Sequence, residues 1–367
     1  MTRLADEHDA INLAQGFPDF PAPAAVKEAA ARAIAEDHNQ YSITWGVPEF
    51  RRAIAATYAR DYDMTLDPDT EICITCGSTE AMMATFLGVL DPDDEVVVFE
   101  PFYENYGPDS ILAGASLRYV PLRPPEWTFD PDELHAAVGP RTRAIVLNSP
   151  HNPTGKVFSR EELAEIVALC VERDLLVFTD EIYEHLTYDG HEHLPIASMP
   201  GMRDRTVTIS ALSKSYSVTG WRVGWAIASP ALIGGIRAVH DFLTVAAPTP
   251  LQVAGVAALG LGLDERVRAV AEYRERRTLM MEILRAARLD AVQPQGAYYV
   301  MADISGLGLG DDIATADRLV REAGVATVPG SSFVSRAEDG RHLVRFAFCK
   351  RLETLELAGQ RLSAFLA

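Results

Sequence analysis

Short apolar runs rich in β-branched residues alternate with longer amphipathic stretches through the middle of this 367-residue chain. The runs Glu71–Thr75, Glu95–Glu100, Ala144–Asn148, Leu175–Thr179, Thr206–Ile209 and Val223–Ala228 predict strands. Between them, apolar residues at helical spacing predict helices near Ser78–Leu90, Ser159–Arg173 and Ala231–Asp241. Ser159 followed by Glu162 has the pattern of a capping box, which satisfies orphan N–H groups at a helix start. Strands with little in–out alternation, separated by helices, are covered on both faces. The pattern therefore predicts an α/β fold with a mostly parallel sheet sandwiched by helices.

The two ends read differently. The Pro-rich turn Phe17–Pro23 leads into a predicted helix, Pro23–Asp37. After Asp264 come a long charged helix, the strand candidates Ala297–Ala302 and His342–Phe348, and a last helix over Leu352–Phe365. These divide the chain into a large domain, residues 28–265, and a smaller α+β domain built jointly by residues 1–27 and 266–367. The charge-free stretch Phe242–Leu263 has the length of a membrane span. It contains Pro248 and Pro250 with Thr244, Thr249 and Gln252, which predicts a loop feeding a buried helix instead.

Charge narrows the partners. Acidic residues outnumber basic ones by 52 to 33, a formal charge of −19, and such a field repels a phosphate backbone. No nucleic-acid partner is expected. Four cysteines are too few for a disulfide framework. Cys73 and Cys76 form a C-x-x-C, but Cys73 lies inside an apolar strand and no further ligands accompany it, so no metal site is expected. The first residues, MTRLADEHDA, contain no apolar signal core. A soluble, cytoplasmic protein with no membrane partner is the expectation.

Open α/β sheets bind ligands beyond the carboxyl ends of their strands. Here five consecutive strand exits carry polar or aromatic groups: Cys76–Glu80, Pro101–Tyr103, Ser149–Gly155, Asp180–Tyr183 and Ser210–Lys214. Gly77-Ser78-Thr79, between a strand and a helix start, suits an anion such as phosphate, and equally suits ordinary capping. Asn152-Pro153-Thr154-Gly155 has the composition of a turn, and Asp180 that of a helix cap. At a buried rim Lys214 would lose hydration, and its pKa would fall far enough to free a nucleophilic amine; an exposed lysine near a turn is the other reading of this residue on its own.

Taken together, Ser213-Lys214-x-Tyr216-x-x-Thr219-Gly220-Trp221-Arg222-x-Gly224 resembles the lysine signature of fold-type I, pyridoxal-phosphate-dependent aminotransferases of class I/II. The resemblance runs in order through Ile11–Phe20, Asn39–Tyr41, Gly77–Ala81, Glu100–Tyr103, Asn148–Gly155, Thr179–Tyr183 and Val344–Phe346. It implies an aspartate-aminotransferase-like fold and pyridoxal 5'-phosphate as cofactor. By the same resemblance Lys214 is the lysine that carries the cofactor as an aldimine and moves the Cα proton. Asp180 pairs with the pyridine nitrogen, and Tyr183 and Asn152 with the ring's phenolic oxygen. Tyr103 stacks on the ring, while Gly77, Ser78, Thr79, Ser213 and Arg222 form the phosphate cup. Tyr41 reaches the phosphate from a partner subunit, implying a homodimer. Arg345 clamps the substrate α-carboxylate under the backbone of Gly16, a bidentate task that suits a planar guanidinium.

The implied substrates are an amino acid and a 2-oxo acid such as 2-oxoglutarate. INLAQGFPDF, EPFYENY and HLVRFAFCK resemble the branch of kynurenine, glutamine, methionine and succinyldiaminopimelate aminotransferases. Phe17, Tyr41, Trp45 and Tyr103 are candidates for an apolar side-chain pocket, which predicts aromatic, methionine, glutamine or kynurenine-type donors. The alternatives are N-succinyl-diaminopimelate, which calls for an extra cation near the pocket, aspartate, or β-lyase or oxidase chemistry on the same fold. Thr79 stands where an aspartate-specific branch carries a lysine, which argues against aspartate. Two departures are visible. Ala211 stands where relatives carry a phosphate-binding serine, with Ser210 as the one neighbour able to compensate. The chain also starts close to INLAQGFPDF, from which a weaker grip on the partner is expected.

Overall fold

The computed structural model describes residues 1–366. Seven strands form the large sheet: β1 (Ile72–Thr75), β2 (Glu95–Glu100), β3 (Ser116–Pro121), β4 (Thr142–Asn148), β5 (Leu176–Asp180), β6 (Thr206–Ala211) and β7 (Gly224–Ile227). Their spatial order is β1-β7-β6-β5-β4-β2-β3. Only β7 runs against its neighbours; the remaining pairings are parallel. This is the mixed, mostly parallel α/β architecture that the uninterrupted apolar runs predict.

Successive residues of the central strands enter two different cores. Val96, Val98, Ala144, Val146 and Phe178 join a cluster on one face, while Val97, Phe99, Ile145, Leu147 and Val177 join another on the opposite face. A strand buried on both sides has no polar face to show, which explains why its sequence lacks alternation. The edge strand β3 is the converse. Its SLRYVP leaves Ser116 and Arg118 exposed, so no uninterrupted apolar run marks it.

Helices cover both faces. Helix Arg160–Arg173 starts with the anticipated capping box, Ser159 and Glu162 bonding each other's backbone N–H, and ends on Asp174 in the left-handed region. The charge-free stretch resolves as the end of helix Pro230–Leu243, a short loop, and helix Thr249–Leu259 with proline in its first turn. Gln252, Ala254, Ala258 and Leu259 of that helix are buried. Among the described residues no helix is long and apolar enough to cross a membrane.

A second, antiparallel sheet orders Val328–Pro329, Leu343–Ala347, Tyr299–Asp303 and Asp290–Ala291. The 24-residue helix Leu263–Ala286 and helix Leu352–Leu366 pack beside it. Ile11–Asn12 pairs with Val325–Ala326, and the Ala347 amide bonds the Leu13 carbonyl. Chain segments more than 300 residues apart thus meet in one layer. A six-residue helix, Thr2–Glu7, precedes the first of them.

Candidate active site

The carboxyl ends of β1, β2, β4, β5 and β6 open into a cavity of about 360 Å³. Gly16, Phe17, Ser78, Thr79, Tyr103, Asn152, Asp180, Tyr183, Ser213, Lys214, Arg222 and Arg345 all line it, as anticipated. Gly77 lies just behind the wall with φ +83°, and a Cβ there would stand 2.4 Å from Arg222 Nη2. Gly224 backs onto the same turn, where a Cβ would meet the Gly77 main chain at 2.6 Å. Two glycines therefore let β7 and the turn after β1 approach closely enough for Arg222 to lie over it. Arg222 itself has φ +54°, a conformation that costs a non-glycine residue about 1–3 kcal/mol and that turns its guanidinium back towards the cavity. Its Nη2 donates to Thr79 Oγ1 at 3.3 Å and its Nη1 to the Thr219 carbonyl at 3.0 Å.

Lys214 sits in a one-turn helix directly after β6, and its Nζ donates to the Gly16 carbonyl at 3.1 Å. Burial is the main cause pulling its pKa down to about 8, with Arg222 and Arg345 acting in the same sense. Asp180 ends β5. Burial pushes its carboxyl up to about 6, against hydrogen bonds from the Tyr106 hydroxyl at 3.1 Å and the Ile182 amide. Asn148, at the end of β4, donates to the Asp180 carbonyl at 2.7 Å and accepts from the Asn152 amide at 2.7 Å, joining two strand exits.

Arg345 is buried between the rings of Tyr299 and Phe333, 4.3 and 4.6 Å from their centroids. Its Nη1 donates to Asn152 Oδ1 and its Nη2 to the Ala14 carbonyl, both at 2.8 Å, while Nε has no partner. These acceptors are neutral. Among the described residues, none of the five charged side chains on the cavity wall (Glu104, Asp180, Lys214, Arg222 and Arg345) forms an ion pair. Asp180 and Arg345 are buried, and buried charges are ordinarily paired, so this is a site prepared for charged ligands.

The cavity also holds residues that sequence reasoning did not single out. Tyr299 packs so tightly on Gly16 that a Cβ there would fall 1.8 Å from its hydroxyl, and Tyr183 donates to that hydroxyl at 3.3 Å. Tyr298 donates to the Gly16 carbonyl at 2.8 Å. The Tyr298-Tyr299 pair lay within an anticipated strand, and two consecutive aromatics there were the available signal. Gln15, Glu104, Ile182 and Thr219 complete the wall.

Two anticipated residues stand elsewhere in this chain. Tyr41 is 83% exposed and turned to solvent. Trp45 stacks on Arg237, 5.0 Å from ring centroid to guanidinium, outside the cavity lining. Nor does Ser210 stand in for the serine replaced by Ala211. It faces the opposite side of β6 and donates to Glu184 Oε1 at 2.7 Å. Glu184 also accepts from Tyr62, and its neighbour Glu181 accepts from Thr179 and pairs with His193 at 3.0 Å. This cluster could place three ligand atoms around a cation, yet each carboxylate oxygen already has a protein partner.

A probable N-succinyldiaminopimelate aminotransferase of Mycobacterium tuberculosis is 42% identical, the alignment covering 99% of this chain and 94% of that one. The solved structure of the M. tuberculosis N-succinyldiaminopimelate aminotransferase superposes with a TM-score of 0.97, covering 100% and 96%. Kynurenine–oxoglutarate transaminase 3 of Rattus norvegicus is 36% identical over 97% of this chain and 85% of that protein. The methionine aminotransferase of Escherichia coli is 35% identical over 99% and 94%. Residues 8–361 match the family described as aminotransferase class I and II. The chain therefore belongs to that family of pyridoxal 5'-phosphate enzymes and is an aminotransferase.

Proposed function

We propose that the cavity binds pyridoxal 5'-phosphate on Lys214 and moves the α-amino group of an L-amino acid with an extended, uncharged side chain onto a 2-oxo acid. The observation that carries this is the set of unpaired charges. Arg222, with the partnerless Ser213 hydroxyl and the amides of the Gly77–Thr79 helix start, suits a phosphate. Asp180 suits the protonated ring nitrogen, and Arg345 suits the substrate α-carboxylate. Tyr103 has a face to offer the ring, and Tyr183 and Asn152 offer hydrogen bonds at its edge. The residues present fit the cofactor.

When bound, the cofactor supplies an electron sink for the bond to be broken at Cα. This chain's residues do the rest. Arg345 fixes the carboxylate and so the direction in which the Cα–H bond points. Lys214 Nζ takes the Cα proton and later returns one. With its pKa near 8, about half of such amines are neutral at pH 8, against well under 1% at the ordinary lysine value. Asp180 stays anionic beside a cation and holds the ring nitrogen's proton. Gly16, Tyr298 and Tyr299 close the wall beside Lys214 against water.

Phe17 and Tyr103 leave an aromatic path for the side chain, and Glu104 at its edge disfavours a second carboxylate. The 42% identity to the N-succinyldiaminopimelate enzyme supports a second reading. For that substrate an extra cation stands behind Phe17, where Lys350 is buried with its Nζ 3.7 Å from the ring centroid. We further infer a homodimer in which Tyr41 and Trp45 of each subunit serve the other's site, and a two-domain division near residues 27 and 265. The exposure of Tyr41, Ile43, Phe242 (93%) and Val245 on adjoining segments supports the dimer.

The test is the visible absorption of the purified holoenzyme, recorded with single amino acids and no acceptor. A band that bleaches with aromatic, thioether or glutamine donors sustains the main reading. Bleaching only with N-succinyl-diaminopimelate selects the second. No band, or one unchanged by Lys214→Ala, refutes the assignment of Lys214.

A further inference from the structure

His240 lies outside the cavity and is fully buried. Its Nδ1 is 2.7 Å from Glu80 Oε1, and its Nε2 is 2.9 Å from the Thr44 carbonyl oxygen. A carboxylate and a carbonyl only accept, so both ring nitrogens must donate, and the ring is an imidazolium. Glu80 is in turn saturated. The Thr244 hydroxyl donates to the same Oε1 at 2.7 Å, and the Cys76 amide donates to Oε2. Glu80 therefore grips the start of the turn Cys76–Thr79 from behind, through the residue just before Gly77. Thr44 belongs to the exposed segment that carries Tyr41 and Ile43.

We propose that His240 is a positioning residue that joins the cofactor-phosphate turn to the Tyr41 segment, so that cofactor affinity and the partner-facing surface are set together. This rests on the reading of Ser78, Thr79 and Arg222 as the phosphate cup.

The surroundings favour the charged ring. Burial opposes it, but the Glu80 carboxylate and the Thr44 carbonyl outweigh burial and raise its pKa above the ordinary histidine value. Glu80 is held below the usual carboxylate range, its own burial being outweighed by His240, Cys76 and Thr244. Asp241 and Arg237 come from the same helix, and Cys73 and Cys76, from β1 and the turn after it, are thiols that burial keeps protonated. The raised ring value means the clamp is complete below the ordinary histidine range and is lost as pH rises through that raised value.

The probe is pyridoxamine 5'-phosphate, which carries the phosphate and ring but forms no bond to Lys214. Its Kd is measured by calorimetry from pH 6 to 9.5 on the full-length protein, His240→Gln and Arg222→Ala, with sedimentation to follow association. The wild type should weaken at alkaline pH. His240→Gln should raise Kd about 10-fold at pH 7, flatten that dependence, and weaken subunit association. A variant with the wild-type Kd and slope overturns the inference. If Arg222→Ala weakens binding and His240→Gln does not, the clamp alone has failed; if Arg222→Ala has no effect, the phosphate-cup reading has failed. Should His240→Gln not fold, ¹⁵N-histidine spectra of the wild type at pH 7 decide: a neutral His240 ring overturns the proposal.

Discussion

Two buried polar clusters lie back to back at the end of β5, and they are built on opposite rules. In the cavity, Asp180, Lys214, Arg222 and Arg345 approach one another without an ion pair among the described residues. Behind it, Glu181, Glu184 and His193 are as deeply buried, yet each carboxylate oxygen meets a hydroxyl or an imidazole. Residues 180 and 181 are neighbours, so the strand's alternation alone sends one to each side. The difference teaches that an unmet buried charge marks chemistry more reliably than a polar cluster does. Carboxylates whose oxygens are all met hold structure; charges left without a counter-ion are waiting for a ligand.

Substitutions should separate the two clusters. The largest effect belongs to Lys214→Ala, which should cost at least 10²–10⁴-fold in kcat by single-turnover assay while leaving the melting temperature intact. Next, Glu181→Ala strands His193 and should destabilise the protein by about 3–5 kcal/mol in urea unfolding. Arg345→Leu does the reverse. It should raise the barrier read from kcat/KM by about 2–5 kcal/mol through loss of the carboxylate contact, and cost only about 1–3 kcal/mol of stability, since the Ala14 carbonyl loses a donor but no protein anion loses a partner. A stability loss as large as that of Glu181→Ala would erase the distinction.

pH sharpens the contrast further. Asp180 holds its proton up to about 6 in the cofactor-free protein, above its unfolded value near 3.9. Its contribution is therefore most favourable below about 3.9 and is lost as pH rises through 6. Asp180→Asn should stabilise the cofactor-free protein by about 3 kcal/mol at pH 8 and by little near pH 4, as thermal melts can show. His193 also loses its contribution as pH rises through its raised value, because Glu181 outweighs the burial that would otherwise lower it. The smallest effect should come from Tyr41→Phe, with cofactor affinity falling about 10-fold if the partner's hydroxyl meets the phosphate.

Much of this site was legible in the sequence because its residues sit at strand ends, where apolar runs stop abruptly and the turn chemistry is local. The existence of β1, β2, β4, β5 and β6 followed from the same runs. What stayed hidden depended on direction. Ser210 and Ala211 are adjacent, and nothing local says that the Ser210 hydroxyl turns to Glu184. Tyr299 and Tyr298 lie in a strand of the other sheet, and only tertiary packing brings them over Gly16. Tyr106, which bonds Asp180, looks in sequence like any apolar helix residue. The edge strand β3 has no uninterrupted apolar run because Ser116 and Arg118 face solvent.

The meeting of distant segments beside the second sheet sets an order for biosynthesis. Arg345 holds the Ala14 carbonyl, and Lys214 holds that of Gly16. While the ribosome is still adding residues near 300, the seven-stranded sheet can already be laid down, yet the wall over Lys214 has nothing to lean on. The nascent enzyme is thus born open. It acquires a closed reaction chamber only when the strand bearing Arg345 emerges and recruits a stretch made more than 300 residues earlier.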